Sequence, residues 1–166
     1  MAQTILVKKK INQTISMKIS EALQLMPPQQ LIDRYASSRI PIAMFTSQDA
    51  KIDFGINETA TNWGSDDIEI LLSFYKASIS NLYSQVDFVQ SQISTVDHRS
   101  FIVFEFIGTI SEESLLGGVN LFQKYNYIQY IPYGGKVLLF NFNCDPKERD
   151  IWAPIAAQMM RSVKLK

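Results

Sequence analysis

A single cysteine among 166 residues, Cys144, rules out an intrachain disulfide and a cysteine-built metal cluster. A lone thiol is more often a small apolar filler than a nucleophile, and Cys144 is read as filler. The only histidine, His98, stands between Asp97 and Arg99 in a predicted hairpin turn. It lacks the local neighbours that a general base or a zinc ligand needs. Any Ser-His-Asp or Cys-His constellation would have to be built on it, and nothing around it favours one. Neither a Gly-x-Gly-x-x-Gly nor a Gly-x4-Gly-Lys-Ser/Thr string occurs, so no phosphate-cradling loop is expected. Charge of one sign is not in excess: sixteen basic residues balance sixteen acidic ones. No net field then draws the chain to nucleic acid or anionic lipid. Apolar runs stay far below the roughly 20 residues that a membrane crossing requires. Ile5-Leu6-Val7 is followed, not preceded, by Lys8-Lys9-Lys10, the wrong order for a secretory signal, so the expected compartment is the cytoplasm. No enzyme activity, cofactor or metal is expected.

Apolar residues at 46% and charged residues at 19% are the balance of a globular chain, and neither repeats nor linker-like tracts divide it. One domain over residues 1–166 is expected. Strands are predicted over residues 4–11 and 14–19, the second alternating Ile15, Met17 and Ile19 with Ser16 and Lys18. After Pro27-Pro28 a short helix is expected over 29–37, then strands over 42–46 and 52–57. Ser65 is the expected N-cap of a longer helix, with Asp66 and Asp67 at its positive end. Ile68, Leu71, Leu72, Tyr75, Ile79, Leu82 and Tyr83 recur along it at helical spacing. Strands over 86–96 and 100–109 flank Asp97-His98-Arg99, and strands over 125–133 and 136–143 flank Gly134-Gly135. Between the two hairpins, residues 110–123 read as irregular, with a helical turn over 112–116. Asp145 as N-cap, Pro146 as first residue and Glu148 as reciprocal partner start the last helix, and Pro154 predicts a kink or restart within it.

Adjacent strands with tight turns imply a mainly antiparallel sheet. The Gly134-Gly135 turn fixes pairing parity, placing Gln129 and Ile131 with Phe140 and Leu138 on one face. Ile128 and Tyr130 fall with Asn141 and Leu139 on the other. Both faces are largely apolar, so both need covering, and the expected fold class is an α/β/α sandwich (α+β in type) with helices on each side.

The run Tyr133-Gly134-Gly135-Lys136-Val137-Leu138-Leu139-Phe140-Asn141-Phe142-Asn143-Cys144 leads into the Asp145-Pro146 helix start, and the chain closes Arg161-Ser162-Val163-Lys164-Leu165-Lys166. With the strand at 101–107 and the long helix at 66–83, this resembles the PsbP-like family over about residues 14–166. The resemblance implies the same sandwich. It also implies a non-catalytic role, because the family spans photosystem II extrinsic subunits, a Ran-binding import factor, bacterial lipoproteins and chaperone-like adaptors of type VI secretion effectors. No transit peptide or lipoprotein cysteine is recognised in the sequence, so a member outside the photosynthetic and lipoprotein branches is expected.

Polar residues inside apolar strands are the candidate binding residues. Glu105 interrupts Phe101, Val103 and Ile107, and Gln129 interrupts Tyr125, Tyr127 and Ile131. An unpaired buried carboxylate is costly, so Glu105 must be marginal, paired or functional. Tyr125, Tyr127, Tyr130 and Tyr133 crowd one strand, and Trp63 lies in a polar loop; large rings with a polar tip suit interfaces. The expected function is a protein-binding adaptor, chaperone or assembly factor, with type VI secretion one branch of that class. The alternative is a small-ligand carrier whose cleft is lined by Glu105, Tyr127 and Gln129. The expected partner is another protein, and an exposed strand edge leaves room for a homodimer. Carboxylate pairs at Asp66/Asp67 and Glu148/Asp150 read as helix N-terminal charge, and Glu112/Glu113 as loop residues.

Overall fold

A computed structural model describes residues 4–35, 40–59 and 62–166. Among the described residues, ten strands form two antiparallel sheets, accompanied by three helices. The strands are β1 (Leu6–Lys10), β2 (Ile15–Ser20), β3 (Leu23–Leu25), β4 (Ala43–Ser47), β5 (Asp53–Glu58), β6 (Gln85–Val96), β7 (Arg99–Glu113), β8 (Val119–Tyr133), β9 (Lys136–Cys144) and β10 (Lys164–Leu165). The helices are α1 (Pro28–Tyr35), α2 (Ile68–Leu82) and α3 (Arg149–Arg161). The large sheet has the order β3-β4-β5-β9-β8-β7-β6, and β1-β2-β10 form the small one.

The parity argument from Gly134-Gly135 holds. Gln129 pairs Phe140, Tyr130 pairs Leu139 and Ile131 pairs Leu138. Each face carries its own core. Leu71, Tyr75 and Ile79 of α2 cover Ile102, Phe104, Phe106, Ile128 and Tyr130. The opposite face, with Phe54, Phe101, Phe140 and Phe142, lies under α3 and the inner side of the small sheet, where Ile15, Met17 and Ile19 are buried. The second roof is therefore part helix and part sheet. The three-residue β3 and two-residue β10, which carry too short a pattern to be read from sequence, exist through pairing with β4 and β2.

Several local expectations are corrected. A one-turn 3-10 segment, Ser65–Asp67, precedes α2; Gly64 is its N-cap, and its N–H donates to the Asp67 carboxylate at 3.3 Å. Ser65 is thus inside the turn. The Asp145 carboxylate accepts from the Lys147 N–H at 2.8 Å as a cap should, but the segment it opens, Pro146–Glu148, is again 3-10. The Glu148 backbone N–H donates to the Asp145 carbonyl. α3 then passes through Pro154 without a restart. The end of the helix expected over 29–37 lies outside the described residues beyond Tyr35. The largest correction concerns residues 110–123, expected to be irregular with a helical turn. They are instead the outer half of a β-hairpin, with β7 continuing to Glu113 and β8 beginning at Val119.

Candidate docking surface

Strand alternation separates the tyrosines that crowd β8. Tyr125 and Tyr127 point with Glu105 and Gln129 to the α3 side, whereas Tyr130 stacks on Tyr75 of α2 at 4.0 Å between ring centroids. All are covered: Tyr125 is 0% exposed, Gln129 1%, and Tyr127 and Tyr130 7% each. Trp63 is half-buried, its ring 5.9 Å from that of Phe74 at the margin of the α2 core. Glu105 is half-buried and satisfied, accepting from the Tyr125 hydroxyl at 2.5 Å and from Gln90 Nε2 at 3.0 Å. The Arg149 guanidinium lies 5.6 Å from the Tyr125 ring centroid. Burial, and then the Glu105 carboxylate, push the Tyr125 phenol far above its ordinary value. Gln129 ties the sheet to α3, its Nε2 donating to the Met160 carbonyl at 3.0 Å. These side chains join layers together; they do not present a surface.

A second polar cluster was not anticipated. Asp53 of β5, almost fully buried, accepts from both terminal nitrogens of Arg34 at 3.2 and 2.5 Å, from the Tyr35 hydroxyl at 2.7 Å and from Thr46 Oγ1 at 2.8 Å. This fork fastens the end of α1 to the sheet. Burial and the adjacent carboxylate raise the Tyr35 phenol to about 12. Cys144 is buried beneath α3, and burial pushes its thiol up to about 12, which keeps it protonated and inert. His98 occupies the exposed two-residue turn between β6 and β7, with Asp97 and His98 both at positive φ. Among the described residues no three His, Cys, Asp or Glu side chains are grouped so as to hold a metal. No described helix is long and apolar enough to cross a membrane.

The unsatisfied surface is elsewhere. β6 leaves β7 at the pair Gln85–Thr109, and β9 leaves β8 at Tyr125–Cys144. Beyond them Ile110–Phe122, Ser111–Leu121, Glu112–Asn120 and Glu113–Val119 pair only with each other. They form a two-stranded ribbon projecting past the sheet. The Ser114 N–H donates to the Gly118 carbonyl at 3.0 Å, and the Gly117 N–H donates to that of Ser114 at 3.1 Å. Gly117 and Gly118 supply the positive φ this closure needs. At the base, Ser84 braces the ribbon: its hydroxyl accepts from the Ser111 N–H at 2.9 Å and its own N–H donates to the Thr109 carbonyl.

The ribbon is apolar yet wet. Leu115 and Leu116 at the tip are fully exposed, and Val119, Leu121, Phe122 and Ile110 are between 41% and 64% exposed. By alternation Ile110 and Phe122 share the α2 side, and Val119 and Leu121 the α3 side. Its charges are Glu112 and Glu113, with no cation between Arg99 and Lys124. A contiguous apolar projection of this kind marks an interaction site. A cleft of about 490 Å³ opens between β1 and the β3–β4 edge, lined by Ile11, Leu25, Ile42 and Phe45 with Lys9 and Lys10 beside them. Glu105, Tyr127 and Gln129 do not line it.

No family model matches the chain, and no curated protein matches it by sequence. Solved structures do share its fold. It is similar to cyanobacterial PsbP (CyanoP) of Synechocystis, with a TM-score of 0.66 at 10% identity over 99% of this chain and 95% of that one. It is also similar to the Ran-binding protein Mog1p of Saccharomyces cerevisiae, with a TM-score of 0.61 at 10% identity over 98% and 96%. LpqN of Mycobacterium tuberculosis, a protein involved in cell envelope biogenesis, gives 0.58 at 17% identity over 99% and 91%. The fold is PsbP-like.

Proposed function

We propose that this protein works by binding another protein, with the ribbon between Ile110 and Phe122 as its docking element, and that it performs no reaction of its own. The observation that carries the reading is the fully exposed Leu115-Leu116 tip on a ribbon that serves no other part of the fold. Side chains that cost free energy in water at this density are retained where a partner covers them. The free outer edges of the ribbon offer backbone groups for strand addition, with apolar side chains on both faces to select the partner. Mog1p, a structure of the same fold, is named for binding Ran, which agrees with a binding role but does not transfer the partner. An adaptor, chaperone or assembly factor acting in the cytoplasm fits these features, and a type VI secretion effector is one class of client.

A photo-crosslinking residue at Leu116, introduced in the producing cells, tests this. We expect a discrete adduct with a second protein, absent when the same residue replaces exposed Gln92 on β6. Equal adduct yield at both positions, or none at Leu116 under any growth condition, overturns the reading.

A further inference from the structure

We infer that the ribbon tip of one molecule also docks in the cleft between β1 and the β3–β4 edge of a second copy, so that the chain associates head to tail. The inference rests on reading the ribbon as a docking element and names one partner for it. Two surfaces of the same molecule are complementary in both apolarity and charge. The tip carries Leu115 and Leu116 beside Glu112 and Glu113, with no basic residue on the ribbon. The cleft offers Ile11, Leu25, Ile42 and Phe45 beside Lys9 and Lys10. Its volume of about 490 Å³ lies within the roughly 300–1,000 Å³ of cavities that hold an organic group. Among the described residues the two ion pairs, Arg34–Asp53 and Lys136–Glu58, use none of these four charges. All four are exposed and available to a partner. β1 is moreover an outer strand of its sheet and β3 an outer strand of the other, so the cleft is bordered by two free backbone edges.

The tip cannot reach the cleft of its own molecule. The ribbon leaves the sheet at the end where Tyr125 pairs Cys144 and Asp53 pairs both Asn143 and Thr46. Ala43, at the cleft, pairs Ile56, which pairs Phe140, which pairs Gln129. From Gln129 to Val119 at the ribbon's far end is roughly 33 Å of strand. β4, β5 and β9 also intervene across the sheet. The contact must therefore join two molecules. A tip meeting a different patch on its neighbour leaves a free tip at one end of an open assembly and a free cleft at the other. The assembly therefore grows until it closes, a reciprocal pair about a two-fold axis being the smallest closed form.

Sedimentation velocity on the full chain tests this at low salt, where exposed charges are least screened. Mass is expected to rise with concentration above that of the monomer, and to fall back on adding salt. The variants E112K/E113K and K9E/K10E change exposed side chains only, and circular dichroism verifies their fold. Each alone is expected to weaken association by about tenfold or more. Mixed together, they are expected to regain association, because the acidic tip of K9E/K10E meets the basic cleft of E112K/E113K and the reversed tip meets the reversed cleft. A parent that stays monomeric at every concentration overturns the inference, as does association that survives unchanged in both variants. A monomeric parent that still gives a Leu116 adduct with a different protein removes self-docking alone and leaves the proposed function standing.

Discussion

Asp53 receives four donors while almost fully buried, and two of them come from one guanidinium held flat against its carboxylate. The planar fork of Arg34 delivers both bonds from a single side chain, which a lysine cannot do. Removing it strands a charge in a site closed to water. Arg34→Ala is expected to destabilise the fold by on the order of 3 kcal/mol, with Arg34→Lys recovering only part of that. Urea unfolding reads it as a shift in midpoint at constant slope. A shift of under about 0.5 kcal/mol would mean the pair behaves as an ordinary surface ion pair. How far such roles were legible follows from where the partners sit. Glu105 and Gln129 stood out as polar breaks in apolar strands, and each proves to be satisfied. Their partners did not stand out: Gln129 bonds a carbonyl 31 positions away on α3. Asp53, by contrast, sits in an unremarkable strand start 19 residues after Arg34, and nothing local couples the two.

The ribbon shows why a whole element escaped the sequence reading. Gly134-Gly135 was legible as a turn because the strands beside it alternate to fill two cores. Gly117-Gly118 closes a longer hairpin connection, residues 114–118, whose strands face water on both sides, so no face imposes a period. Ile110-Ser111-Glu112-Glu113 and Val119-Asn120-Leu121-Phe122 then look like loop. The same isolation separates the energetics of the ribbon tip from those of the buried part of β7. Leu115→Asp with Leu116→Asp touches no core residue, and each change is expected to alter stability by no more than about 0.5 kcal/mol while abolishing the Leu116-directed contact. Phe106→Ala, nine positions earlier and fully buried beneath α2, should cost roughly 3–5 kcal/mol. Chemical denaturation of both variants checks the contrast. A tip variant that unfolds like the core variant would place the ribbon inside the cooperative fold and remove the ground for calling it a docking element.

At the scale of the molecule, the sandwich was readable because two apolar faces on one hairpin demand two roofs. The composition of the second roof was not, since β10 pairs with β2 across nearly the full length of the chain. That double burial has a consequence for alkaline stability. Six of the seven tyrosines, at positions 35, 75, 83, 125, 127 and 130, have phenols raised above the usual value, with burial the leading cause in each. The unfolded chain ionises its phenols near pH 10, roughly the model-peptide value. As pH climbs past that point the unfolded state loses protons that the folded state keeps, so the slope of stability with pH is negative. The tyrosine contribution is therefore complete below about pH 10 and drains away as pH rises through the folded values, about 12 for Tyr35. Phenolate absorbance is expected to lag the model curve while the fold persists, then to rise together with the loss of circular dichroism. Tyr35→Phe should flatten the fall in stability between those limits, because one of the groups that drives it is gone. Independent ionisation of every tyrosine near its ordinary value in a folded chain would show that the two roofs do not exclude water, and the layered burial would fail with it.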